Sequence, residues 1–194
     1  MKLQTSVLAA LAGLASPVAG QSLSVQLSWD QSSISIGETA TATVSATFTG
    51  FADGAYLSSV NIDLFANEPI GFVSNVSAIA WNNTGLGFDG QGVASGANIL
   101  GIEAAQFSLI PPFSTDNPVL LFTFDFTATG GSSGYPMLPT YRARTVEGAP
   151  FAFSVTGPLF SDQPVAFGPE AFVLAPPVMV GLALGGFVCC RRRR

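Results

Sequence analysis

Histidine is missing from all 194 residues, and with it go the Ser-His-Asp and Cys-His nucleophile systems and the commonest zinc sites. Lysine occurs once, at Lys2, and between Gln21 and Ala171 the only cations are Arg142 and Arg144, set against twelve Asp and Glu residues from Asp30 to Glu170. The overall charge of -5 understates this imbalance, because Lys2 and Arg191 to Arg194 lie outside the acidic middle. A surface so short of positive charge repels nucleic acid and anionic lipid headgroups and carries no phosphate-binding footprint, which excludes a nucleic-acid role. Its plainest use is solubility outside the cell. Cysteine is confined to Cys189 and Cys190, so the middle contains no disulfide framework. Helix-forming runs and repeats on the scale of a solenoid or propeller unit are also missing from the middle.

What is present at the two ends is apolar. Met1 to Gly20 has a positive charge at Lys2, an apolar stretch from Val7 to Leu14, and Pro17-Val18-Ala19-Gly20 before a polar run, which reads as a secretory signal peptide. At the other end, Phe172 to Cys190 carries no charge and is followed by Arg191 to Arg194. As a helix this run would be about 28 Å long, close to the ~30 Å hydrocarbon core of a bilayer. Pro176 and Pro177 move the start of the helix to about Pro177, where proline is tolerated in a first turn. The positive-inside rule keeps the arginines cytoplasmic and everything before Pro169 outside the membrane.

Between these ends the pattern has period two. Ala40, Ala42, Val44, Ala46 and Phe48 share one face of Thr39 to Thr49, and Thr41, Thr43, Ser45 and Thr47 share the other. Leu120, Phe122, Phe124, Phe126 and Ala128 are expected to face the core, opposite Leu121, Thr123, Asp125 and Thr127. Shorter strands are predicted at Val25 to Trp29, Val60 to Leu64, Ile70 to Val76, Ile99 to Phe107, Thr140 to Thr145 and Phe151 to Val155. Turns are predicted at Ser35-Ile36-Gly37-Glu38, Ala52-Asp53-Gly54, Phe88-Asp89-Gly90, Gly130-Gly131-Ser132-Ser133-Gly134 and Thr156-Gly157-Pro158. Short strands joined by glycine and proline turns predict an all-β fold, a single antiparallel β-sandwich. The predicted organisation is a signal peptide over 1–20, the sandwich over 21–160, a spacer and sorting motif over 161–171, and a hydrophobic transmembrane helix with its arginine cluster over 172–194.

Pro169 and Glu170, the run Val178 to Phe187, and Arg191 to Arg194 together resemble the PEP-CTERM sorting signal of Gram-negative bacteria. Ala171 stands where that family usually has a second proline. The resemblance implies an exosortase-like protease that cuts the signal and passes the protein to the cell surface. Ile36-Gly37-Glu38-Thr39, Leu57 to Leu64 and Val119 to Ala128 are similar to the cohesin and carbohydrate-binding-module type of sandwich, which implies protein or glycan binding.

Candidate chemistry is sparse. A secreted glycoside hydrolase needs two carboxylates facing each other, with Asp53, Asp63, Glu68, Asp89, Glu103 and Asp125 as the available acids. Trp81 in a polar loop is the glycan-stacking candidate, beside Trp29, Tyr56, Tyr135 and Tyr141, which serve equally as core plugs. No cofactor is predicted. Calcium is the one metal the oxygen-rich loop from Trp81 to Gly92 has ligands for, at Asn82, Asn83, Asp89 and Gln91. The sequence therefore predicts a non-catalytic exported protein held in the inner membrane as a precursor and then placed at the cell surface. Its expected partners are a sorting protease and, in the alternative reading, an extracellular polysaccharide or surface protein.

Overall fold

The computed structural model describes residues 20–68, 70–78, 88–106, 114–130, 138–158, 164–167 and 172–174. They form eleven strands: β1 (Ser22–Trp29), β2 (Thr39–Thr49), β3 (Tyr56–Ala66), β4 (Gly71–Ala78), β5 (Phe88–Ser95), β6 (Asn98–Ala105), β7 (Val119–Ala128), β8 (Tyr141–Thr145), β9 (Phe153–Thr156), β10 (Val165–Phe167) and β11 (Phe172–Leu174). Among the described residues no helix is long and apolar enough to cross a membrane. Both apolar ends of the chain, 1–19 and 175–194, lie outside the described residues.

The strands make two antiparallel sheets. The first runs β1-β2-β7-β4. The second runs β5-β6-β3, and the free margin of β3 is then shared. Its first half, from Tyr56 to Val60, pairs with β9, and its second half, from Ile62 to Ala66, pairs with β8. β8 and β9 are thus one strand interrupted over residues 146–152. Asn61 bridges the gap, accepting the Val146 amide and donating to the Ala152 carbonyl. The outermost margin repeats this division, with β10 on β9 and β11 on β8.

Side-chain sizes explain how the sheets close. On β2, Ala40, Ala42 and Val44 pair across the ladder with Phe126, Phe124 and Phe122 on β7. Small residues beside each phenyl ring leave room for it to reach the opposite sheet. All six are buried, together with Leu27, Leu57, Ile62, Leu64, Ile99, Tyr141 and Phe153.

One inward assignment is corrected. Leu121 is buried and Leu120 is 44% exposed, because a register shift opposite Val44 and Ser45 adds a residue to β7 and turns the strand over. A predicted turn is corrected too. Phe88-Asp89-Gly90 begins β5, an edge strand whose Gly92 has φ +76° and lies so close to β6 that a Cβ there would meet Ile102 Cγ1 at 2.8 Å. Of the apolar run that starts at Phe172, the described residues form β11, extended against β8, and the helix expected from about Pro177 lies outside the described residues.

Candidate functional site

Pro169, Glu170, Ala171, Arg191, Arg192, Arg193, Arg194 and Trp81 all fall outside the described residues, as does Tyr135. Of the other rings offered as glycan platforms, Tyr56 and Tyr141 are fully buried, so neither meets a ligand at the surface. Trp29 packs edge-on against Phe124 and Phe126, with centroids at 5.7 and 6.1 Å, and lies 6.5 Å from Tyr141. Among the described residues, two buried polar atoms in this corner have no hydrogen-bond partner, Trp29 Nε1 and the Tyr141 hydroxyl oxygen. Burial pushes the Tyr141 hydroxyl well above the ordinary tyrosine pKa.

The acids are dispersed. Asp53 lines a shallow cleft of about 200 Å³ between the β2–β3 turn and Thr115 and Asn117. Asp125 is on the outward side of the first sheet, and Asp63 and Glu103 are on adjacent strands of the second. Of the oxygen ligands named for calcium, Gln91 lies in β5 and Asn82 and Asn83 lie outside the described residues. Among the described residues no three potential ligands cluster as a metal site.

The first sheet's outward side is a field of hydroxyls, placed there by the alternation in β1, β2 and β7. Ser22 and Thr49 share a hydrogen bond of 2.8 Å, as do Thr39 and Thr127 at 2.7 Å. Asp125 accepts from Thr41 Oγ1 at 2.8 Å with one oxygen and from Asn75 Nδ2 at 2.8 Å with the other. Asn75 reaches it from a break in the β4–β7 register, at φ 49°. The groups on this side largely satisfy one another.

The second sheet's outward side is different. Residues Asp63 and Phe65 of β3 stand directly across from Arg144 and Arg142 of β8. Both arginines are exposed, and the Arg144 guanidinium lies 5.2 Å from the centre of the Phe65 ring. Asp63 turns instead to β6, where its Oδ1 accepts the Gly101 amide at 2.6 Å. Val93 and Leu100 continue this side as exposed apolar residues. Such an arrangement offers free guanidinium donors to an anion. Sequence reasoning counted both arginines without assigning them a role, although the alternation Tyr141-Arg142-Ala143-Arg144 already places them on one face of a strand.

Compared with known proteins, the chain matches no family model, no curated protein and no solved structure.

Proposed function

We propose that this chain is an exported, non-catalytic surface or matrix protein: one acidic β-sandwich led out by residues 1–20 and sorted through Pro169, Glu170, Ala171 and the apolar run ending in Arg191 to Arg194. The supporting observation is that the described sandwich ends with β11 at Leu174. Residues 175–190 are what remains of the run, about 24 Å as a helix, less than the ~30 Å hydrocarbon core. So short a span suits a precursor held briefly and then cut better than a permanent anchor. Intact-mass and C-terminal peptide analysis of surface and inner-membrane fractions tests this reading. A mature product ending between Gly168 and Phe172 outside the inner membrane, with β11 left on the discarded tail, is the expected result. A surface product retaining Arg194 overturns it, as does unchanged processing after replacement of Pro169 and Glu170.

A second reading is a binding module for extracellular polysaccharide or a surface protein. The exposed arginines of β8, which form no ion pair among the described residues, favour it, and the resemblance to cohesin and carbohydrate-binding modules supports it no further than the fold. Trp81→Ala tests the loop ring as a stacking platform, with loss of glycan binding as the expected outcome.

A further inference from the structure

Between Gln21 and Ala171 the chain uses two cations, and both stand on one side of one five-residue strand. Tyr141 and Ala143 turn into the core, so Arg142 and Arg144 point outward, about 7 Å apart along the strand. The acid best placed to neutralise them is Asp63, the cross-strand partner of Arg144. A break in the β3–β6 register brings Gly101, with φ +71°, to where its amide engages the Asp63 carboxylate. Arg142 is opposite Phe65 and has no acid across from it. The Phe65 ring supports the Arg144 guanidinium without neutralising it, and leaves its in-plane donors open.

We propose that Arg142 and Arg144, the latter carried on Phe65, bind successive carboxylates of an acidic polysaccharide lying along the outward side of the second sheet. This rests on the polysaccharide-binding reading and names its ligand class. A single small anion is held by donors converging in a pocket, whereas two donors spaced along an open strand match charges that repeat along a chain. The acidity of the remaining domain opposes the encounter, but it is screened beyond about 8 Å at physiological salt, so the local pair governs binding. The resulting affinity is modest and falls as salt rises.

The test uses the full chain in a non-ionic detergent, with polygalacturonate and its methyl ester as probes. The ester keeps the sugar backbone and removes the charge. Polygalacturonate is expected to bind at physiological salt, where the acidity of the remaining domain is screened, with the ester at least about tenfold weaker. Arg142→Gln with Arg144→Gln should weaken polygalacturonate about tenfold, with the thermal midpoint unchanged because both side chains are exposed. Asp63→Asn keeps an acceptor for Gly101 and removes the neighbouring negative charge, so it should tighten binding about two- to threefold.

Binding that survives the double substitution belongs to Arg191 to Arg194 and overturns the proposal. Equal binding of the ester also overturns it while leaving the polysaccharide module standing. If neither polymer binds, both fall. Binding only to vesicles containing phosphatidylglycerol would make the arginines a headgroup contact and overturn the polysaccharide assignment.

Discussion

The strands of the first sheet carry a single charged residue, Asp125, and both of its oxygens are taken by Thr41 and Asn75; those of the second carry Asp63, Asp89, Glu103, Arg142 and Arg144. Threonine and serine suit an outward strand position because their branched or short side chains fit the pleat and their hydroxyls bond to one another across the ladder. A face built that way has few unmet donors and little to offer a charged partner. On the other side, the Gly101 bulge turns Asp63 toward β6, and among the described residues neither guanidinium forms an ion pair. The same core therefore supports one face that satisfies itself and one that does not.

The largest effect should come from substituting what the two sheets share. Phe124 is fully buried and meets Trp29 and Tyr141 edge-on, at 5.7 and 5.3 Å. Phe124→Ala is expected to cost about 4 kcal/mol in denaturant unfolding. A loss under about 2 kcal/mol would mean that the sheets do not depend on a common core at that point. Next in size is the first sheet's one charge. Asp125→Ala leaves the Thr41 hydroxyl and Asn75 amide without their acceptor and should cost about 1 to 2 kcal/mol. Urea titration of that variant beside Arg142→Gln/Arg144→Gln sharpens the contrast, because the arginine variant should stay within about 0.5 kcal/mol of the parent.

Much of this was readable in advance where neighbours agree in pattern. The alternation in Thr39 to Thr49 specifies a buried and an exposed face, and β2 has those bounds and faces. β7 was legible as a strand and in its faces from Phe122 onward, but Leu120 and Leu121 were exchanged, because a bulge depends on the partner's register and period-two counting cannot foresee it. β5 was hidden for a different reason. Gly90 and Gly92 read as turn residues, yet they are required by close approach to β6: a Cβ on Gly90 would come within 2.9 Å of the Glu103 carbonyl oxygen. Arg142 and Arg144 were visible as rare cations on one strand face. The hydrogen bond that turns Asp63 toward the Gly101 amide depends on a contact between strands 38 residues apart in sequence. The sorting motif and Trp81 rest on sequence alone, since they lie outside the described residues.

A smaller effect tests the corner where β1 meets β8. The Tyr141 hydroxyl is buried with no hydrogen-bond partner among the described residues, so Tyr141→Phe removes an unmet polar group from the core and should be neutral or stabilising by up to about 1 kcal/mol. The variant also has a pH signature. Burial raises the folded-state pKa above the unfolded value of about 10, so the unfolded chain loses this proton first as pH rises. The contribution of Tyr141 is therefore complete below about pH 10 and drains away as pH climbs toward the folded value. Unfolding free energy measured from pH 8 to 11 should fall more steeply for the parent than for Tyr141→Phe; parallel curves would mean that the hydroxyl reaches water.

The smallest effect belongs to the hydroxyl field. Thr43 pairs across the ladder with Ser28 on one side and Thr123 on the other, and its backbone carbonyl, rather than its side chain, accepts from Ser28 Oγ at 3.4 Å. Thr43→Val keeps the branched shape that the strand favours and removes only an outward hydroxyl, so stability should change by less than about 0.5 kcal/mol. Polygalacturonate binding should not change at all, because the substitution lies on the sheet opposite Arg142 and Arg144. If Thr43→Val weakens that binding as much as the arginine substitutions do, the polymer wraps both faces and the division of labour between the two sheets is lost.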